Sequence, residues 1–138
     1  MSDLQRISIT IEQSLADQFN DLLTRKGYAT RSEAVRDLIR KALVEDQWQQ
    51  DNAETVGTLT VVYDHSRPEV SQQFIHAGHE QPGLVLATLH IHMTHDNCLE
   101  VMALKGKSSQ VRHFADLALS AKGVKHGDLV MTTMGCDV

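Results

Sequence analysis

The stretch "QRISITI", residues 5–11, most narrows what this chain can fold into. Apolar and polar residues alternate strictly: Ile7, Ile9 and Ile11 fall on one side, Arg6, Ser8 and Thr10 on the other. This pattern predicts a short half-buried strand. "EQSLADQFNDLLTRKG" follows, with Leu15, Phe19, Leu22 and Leu23 at helical spacing and Gly27 as a stop. "TRSEAVRDLIRKAL" then opens with Thr30 and Glu33 at capping-box spacing and carries a stripe of Ala34, Val35, Leu38, Ile39, Ala42 and Leu43. The segment reads strand, helix, helix, with no second strand nearby. A lone strand leaves its ladder groups unpaired. A unit this small is also close to the size, about 40 residues, below which folds need help to bury a core. Both defects vanish if two chains pair these strands antiparallel and interlock their helices, so the segment predicts an obligate dimer.

Residues 45–55, "EDQWQQDNAET", are polar and lack periodicity apart from Trp48, which predicts a linker or a fraying extension of the second helix. The remainder alternates between periods. Strands are expected over 56–64, 83–93, 98–106 and 124–134, and helices over 67–80 and 108–123. That order is βαββαβ, the ferredoxin-like split βαβ. The expected fold class is α+β, with domains at 1–45 and 56–138 joined by a linker at 46–55.

Apolar residues make up 41% of the chain, enough for a core, yet no run is long enough to span a bilayer and no signal-peptide pattern opens the sequence. The expectation is a soluble cytoplasmic protein with no membrane partner. The two cysteines, Cys98 and Cys136, make no disulfide framework. A net charge of −5 excludes a bulk polycation, so any nucleic-acid contact must be small and local. The paired ribbon provides one. A two-stranded ribbon fits the major groove of DNA, where arginine bonds guanine and serine or threonine bonds either type of base. Arg6, Ser8 and Thr10 would then read a palindromic site, and the amides near Thr30, Arg31 and Ser32 would hold a phosphate. The plainer alternative is a dimerisation module, as in an antitoxin, with a solvated polar face.

All eight histidines lie after residue 64, and three of them crowd into "ATLHIHMTHDNCLE" together with Cys98. In the expected strand, Leu84, Leu86, Thr88, His90 and His92 share one face, while Val85, Ala87, Leu89, Ile91 and Met93 share the other. His90 and His92 stand about 7 Å apart at the Cα by strand rise, and Cys98 returns toward His92 after a turn. Thiolate with imidazole suits zinc, copper or nickel. His95 in the turn has no fixed direction. A fourth donor is sought in His79 or His76; without one, the site has an open position, as in a metal-dependent hydrolase with Glu100 or Asp96 as base. An ACT-type amino-acid sensor is disfavoured because "DHSRPEV" has no glycine-rich loop.

The strings "RISITI", "RKGYATRSEAVRDLIRKAL", "VVYDH", "ATLHIHMTHDNCLEVMALKG" and "VRHFADLALSAKGVKHG", with the position of His79, carry a resemblance over nearly the whole length. The chain resembles the nickel-responsive transcriptional regulators of bacteria, a ribbon-helix-helix domain followed by an ACT-like regulatory domain. The resemblance implies a homotetramer, a dimer of dimers, with one square-planar Ni(II) per subunit. It implies His90, His92 and Cys98 of one chain and His79 of a neighbour as ligands, with Glu100 orienting them. It further implies operator DNA as partner, read by Arg6, Ser8 and Thr10. Ser8 stands where the family usually has threonine. Arg67, after "VVYDH", matches a loop that touches the DNA backbone. Glu33 and Asp37 match carboxylates that help hold a K+-like cation, and His65 and His76 match a region of weaker metal binding.

Overall fold

The computed structural model describes residues 3–50 and 53–136. The chain divides into two compact units after Lys41. The first carries α1 (Gln13–Lys26) and the start of α2 (Arg31–Gln49). Gly27 ends α1 at φ 77°, in the left-handed region. There its N–H donates to Thr24 O at 3.2 Å, and the Tyr28 N–H donates to Leu23 O at 3.1 Å, a pairing that closes a helix end around glycine. Half of the expected capping box forms, with the Glu33 N–H donating to Thr30 Oγ1 at 3.2 Å. The Tyr28 hydroxyl, which donates to Asp37 Oδ2 at 2.5 Å, ties the inter-helix turn to α2.

The expected strand at 5–11 is absent from the single chain. Residues 3–12 form neither helix nor ladder and are exposed, with Ile7 and Ile9 at 71% and 72% exposure. Among the described residues the first unit has no second strand to accept these backbone bonds, so the alternation has nothing there to pair with. Leu15, Leu38, Ile39 and Leu43, expected inside, are also exposed. The polar stretch after residue 45 is the extension of α2 through Gln49, not irregular chain.

The second unit holds β1 (Glu54–Asp64), α3 (Pro68–Glu80), β2 (Val85–His92), β3 (Asn97–Lys107), α4 (Ser108–Leu119) and β4 (Val124–Thr132). This is the expected βαββαβ order. The sheet runs β2-β3-β1-β4, antiparallel throughout. Leu59, Val61 and Tyr63 of β1 face Val70 and Phe74 of α3 and Val111 and Phe114 of α4, forming one core. Trp48 packs against it and donates Nε1–H to Thr132 O at 3.4 Å.

One sequence expectation fails inside β2. The register slips between Val85 and Ala87, so Val85 packs against the core while Leu86 is 57% exposed. A bulge inserts one residue and flips the faces on either side of it. Beyond the slip the expected faces return, with Thr88, His90 and His92 on the helix-covered side.

Gly127 of β4 marks a close approach. A Cβ there would lie 2.8 Å from Thr60 O and collide with Leu119. We expect Gly127→Ala to cost about 1–3 kcal/mol through overpacking, read as a lower urea midpoint; an unchanged midpoint would show that Leu119 yields freely.

Candidate metal centre

Strand register assembles the site. His90 lies opposite Glu100 and His92 opposite Cys98 across β2 and β3, and Tyr63 of β1 lies opposite Cys98 on its other side. The connecting turn is locked by Met93 and Thr94 N–H groups donating to Asn97 O at 3.1 and 3.2 Å. The Asn97 N–H returns a bond to Thr94 Oγ1 at 3.1 Å. His65 follows the end of β1, and its N–H donates to Asp96 O at 2.7 Å, which folds it over that turn.

The outcome is a cluster of His65, His90, His92 and Cys98 whose donor atoms all lie within 4.8 Å of one another. Bonds of about 2.0–2.3 Å put opposite donors on one ion roughly 4–4.6 Å apart, so the set fits a single late transition-metal ion. Cys98 Sγ lies 3.1 Å from His65 Nδ1 and 3.4 Å from His92 Nδ1. Imidazole and thiolate together select Zn, Cu or Ni over oxygen-loving cations.

Burial decides the electrostatics. Cys98 is fully buried while the three histidines are exposed. Burial pushes its thiol pKa up, and the Glu100 charge adds to this. The sulfur therefore keeps its proton until a cation takes its place. The Tyr63 hydroxyl lies 3.3 Å from His90 Nδ1. Its pKa is pushed up to about 12, by burial first and then by the nearby Glu100 charge. Tyr63 thus stays protonated at physiological pH and holds its hydroxyl beside His90. The resemblance gave Glu100 an orienting role, but the sequence did not point to Tyr63, the group whose hydroxyl touches an imidazole. The signal available was parity: Tyr63 alternates with Val61 and Leu59 onto the site's face.

Of the expected ligands, His90, His92 and Cys98 come together. His79, in the last turn of α3, is exposed and is not in this chain's cluster. His65 stands there instead. His76 is exposed with Nε2 3.3 Å from Glu80 Oε1, and His95 pairs with Asp96 at 3.0 Å.

In the first unit, Arg6, Ser8 and Thr10 are exposed. Arg31 Nε donates to Asn20 Oδ1 at 2.9 Å. Asp37 holds Tyr28 and, at 3.4 Å, Arg40; the Tyr28 bond keeps its carboxyl below the usual range. Glu33 lies one turn earlier on α2 and is exposed. In the second unit, Arg67 Nε lies 3.9 Å from Asp64 Oδ2.

Residues 56–132 match the family model described as the NikR C terminal nickel binding domain, and residues 5–46 match that of the ribbon-helix-helix proteins of the copG family. Curated relatives span the full length. A protein of Solibacter usitatus is 46% identical over all of this chain and 99% of its own. One of Desulfovibrio desulfuricans is likewise 46% identical over 100% and 99%. One of Pyrococcus furiosus is 42% identical over 96% of each. All three carry the name nickel-responsive regulator.

Because the thiol pKa is raised, metal binding must release the Cys98 proton below that pKa. We expect apparent affinity to fall as pH falls, by about tenfold per pH unit for each proton released. A competition titration with a chromophoric chelator at several pH values measures this. Cys98→Ser should flatten the dependence, and an unchanged slope would exclude the sulfur as the proton source.

Proposed function

The chain belongs to the nickel-responsive regulators, and from that premise we propose that it is a transcriptional repressor of nickel uptake that binds a palindromic operator when loaded with Ni(II). Members of this family are regulators with a ribbon-helix-helix DNA-binding domain and a nickel-binding domain, not enzymes, which removes the hydrolase alternative. The observation that carries the reading is the convergence of His90, His92 and Cys98 in a chain that also has an exposed, alternating N-terminal segment.

In the proposed working state, His90, His92 and Cys98 of one chain and His79 of a neighbour hold one Ni(II) per subunit. Bound nickel supplies a cation that joins donors of two chains. Glu100 and Tyr63 fix the His90 ring, since a partner on the free ring nitrogen sets orientation and tautomer. The chains form a cytoplasmic homotetramer, a dimer of dimers. Two surfaces support this assembly: the unpaired Ile7, Ile9 and Ile11, and the helix-free sheet face, where Leu89, Ile91 and Val130 are 58%, 41% and 61% exposed. Among the described residues no helix is long and apolar enough to cross a membrane.

Paired ribbons present Arg6, Ser8 and Thr10 to base edges, with Arg31 and Arg67 toward phosphates. Glu33 and Asp37 hold a K+-like cation in the DNA-bound form. Control by metal requires differential affinity: moving a population from 1:99 to 99:1 takes about 5.5 kcal/mol, within reach of several strong sites acting together.

The test uses palindromic DNA selected against the nickel-loaded protein. Cys98→Ala should abolish the nickel response in fluorescence anisotropy. Arg6→Ala should weaken DNA binding by about 1–3 kcal/mol while nickel binding is retained. A full nickel response in Cys98→Ala rejects the scheme.

A further inference from the structure

The chain's own fourth donor is His65, not His79, and the geometry suggests why both exist. His65 Nδ1 lies 3.1 Å from Cys98 Sγ, closer than the 3.4 Å of His92 Nδ1. Donors side by side on one ion at bonds of about 2.0–2.3 Å stand roughly 3–4 Å apart, and both distances fall in that interval. A thiol can give its one proton to one ring and accept an N–H from the other, but sulfur is weak in both roles. Two imidazoles crowded on one buried sulfur are better suited to a cation than to a hydrogen bond. The His65 ring packs edge-on to His92 with centroids 4.6 Å apart, and a backbone bond of 2.7 Å to Asp96 O holds its main chain over the site. The cluster is therefore complete within one subunit.

We propose that His65, His90, His92 and Cys98 of a single chain form the loading site for the metal, and that His79 of a second chain then displaces His65. In that exchange the bond from the His65 nitrogen breaks and one from the His79 nitrogen forms. Both are neutral imidazoles, so charge and proton count are unchanged and no co-reactant is needed. His65 is suited to leave because it is exposed and lies beyond the end of β1, held by the loop rather than by a strand ladder. His90, His92 and Cys98 are fixed by the sheet. His79 is exposed on α3, free to reach a neighbour. Capture would then need one subunit, and completion of the final site would report that the assembly has brought a neighbour's His79 to the ion.

This inference rests on the Cys98 site being the nickel site, and the experiment separates the two. Full-length wild type, His65→Gln, His79→Gln, the double variant and Cys98→Ser are titrated with Ni(II) in competition with a chromophoric chelator, the thiolate-to-metal absorption is followed where Cys98 is present, and loading is timed by stopped flow. His79→Gln should still bind one thiolate-bonded ion per chain through His65. The double variant should bind more weakly than His79→Gln by at least the roughly tenfold that loss of a merely supporting partner costs. His65→Gln should reach the wild-type final spectrum several times more slowly. Equal affinity of His79→Gln and the double variant overturns the proposal, as does a His65→Gln protein that loads at the wild-type rate. If Cys98→Ser keeps wild-type affinity, it is the assignment of the nickel site that fails. His65 is exposed, so its substitution leaves the core intact, and matched circular dichroism spectra check this.

Discussion

The antiparallel register of β2 on β3, with His92 opposite Cys98 and His90 opposite Glu100, is the constraint on which the second unit's chemistry depends. Side chains alternate faces along a strand, so a slip of one residue would send both imidazoles to the far face and leave the sulfur alone. Two features hold the register. The closed turn at 93–97 fixes one end. The bulge after Val85 absorbs a one-residue mismatch at the other, so that Val85 fills the core without shifting the histidines. The bulge thus reconciles two demands of one strand: apolar contact at its start and metal donors at its end.

The position of the cluster follows from how the helices cover the sheet. α4 packs over β1, β3 and β4, leaving the histidine end of the edge strand β2 open. Cys98 is one strand further in and fully buried. An ion reaching the site meets exposed imidazoles first and the sulfur last. The same burial that protects the thiol raises its pKa and makes it a poor ligand until a cation offsets that cost. Glu100 sharpens this. Its charge disfavours the thiolate in the metal-free chain, and beside a bound cation that charge would favour the cation. One carboxylate therefore widens the gap between empty and loaded states.

Much of this was legible in the sequence. Period-2 alternation placed Arg6, Ser8 and Thr10 on one side, and helical stripes ending at Gly27 located α1. The βαββαβ order followed from the changes of period, and the trio His90, His92 and Cys98 from strand parity. What the sequence left open depends on three-dimensional closure: His65 stood only in a region matched to weaker metal binding, not beside the trio. His65 shares parity with Tyr63 and Val61, but it lies past the end of β1, where parity ceases to dictate direction; only the bond to Asp96 O turns it inward. The bulge escaped because Leu84, Val85 and Leu86 are all apolar, so no polarity contrast marks where the face changes. The ribbon strand is the opposite case. Its pattern is plain in the sequence, yet the single chain does not form it; under the proposed assembly its ladder partner lies in a second chain.

Each unit leaves an apolar surface that its own residues do not cover: the isoleucines ahead of α1 in one, the helix-free sheet face in the other. Exposed apolar surface of this extent is costly in water, so association is favoured at both surfaces before any metal arrives. Under the proposed assembly, nickel therefore does not have to build the oligomer. It has only to choose among arrangements of one that already exists, a far smaller free-energy task. A site shared between chains is suited to that task because its donors meet in some arrangements and not in others, so its affinity differs between them, and only such a difference can shift a population.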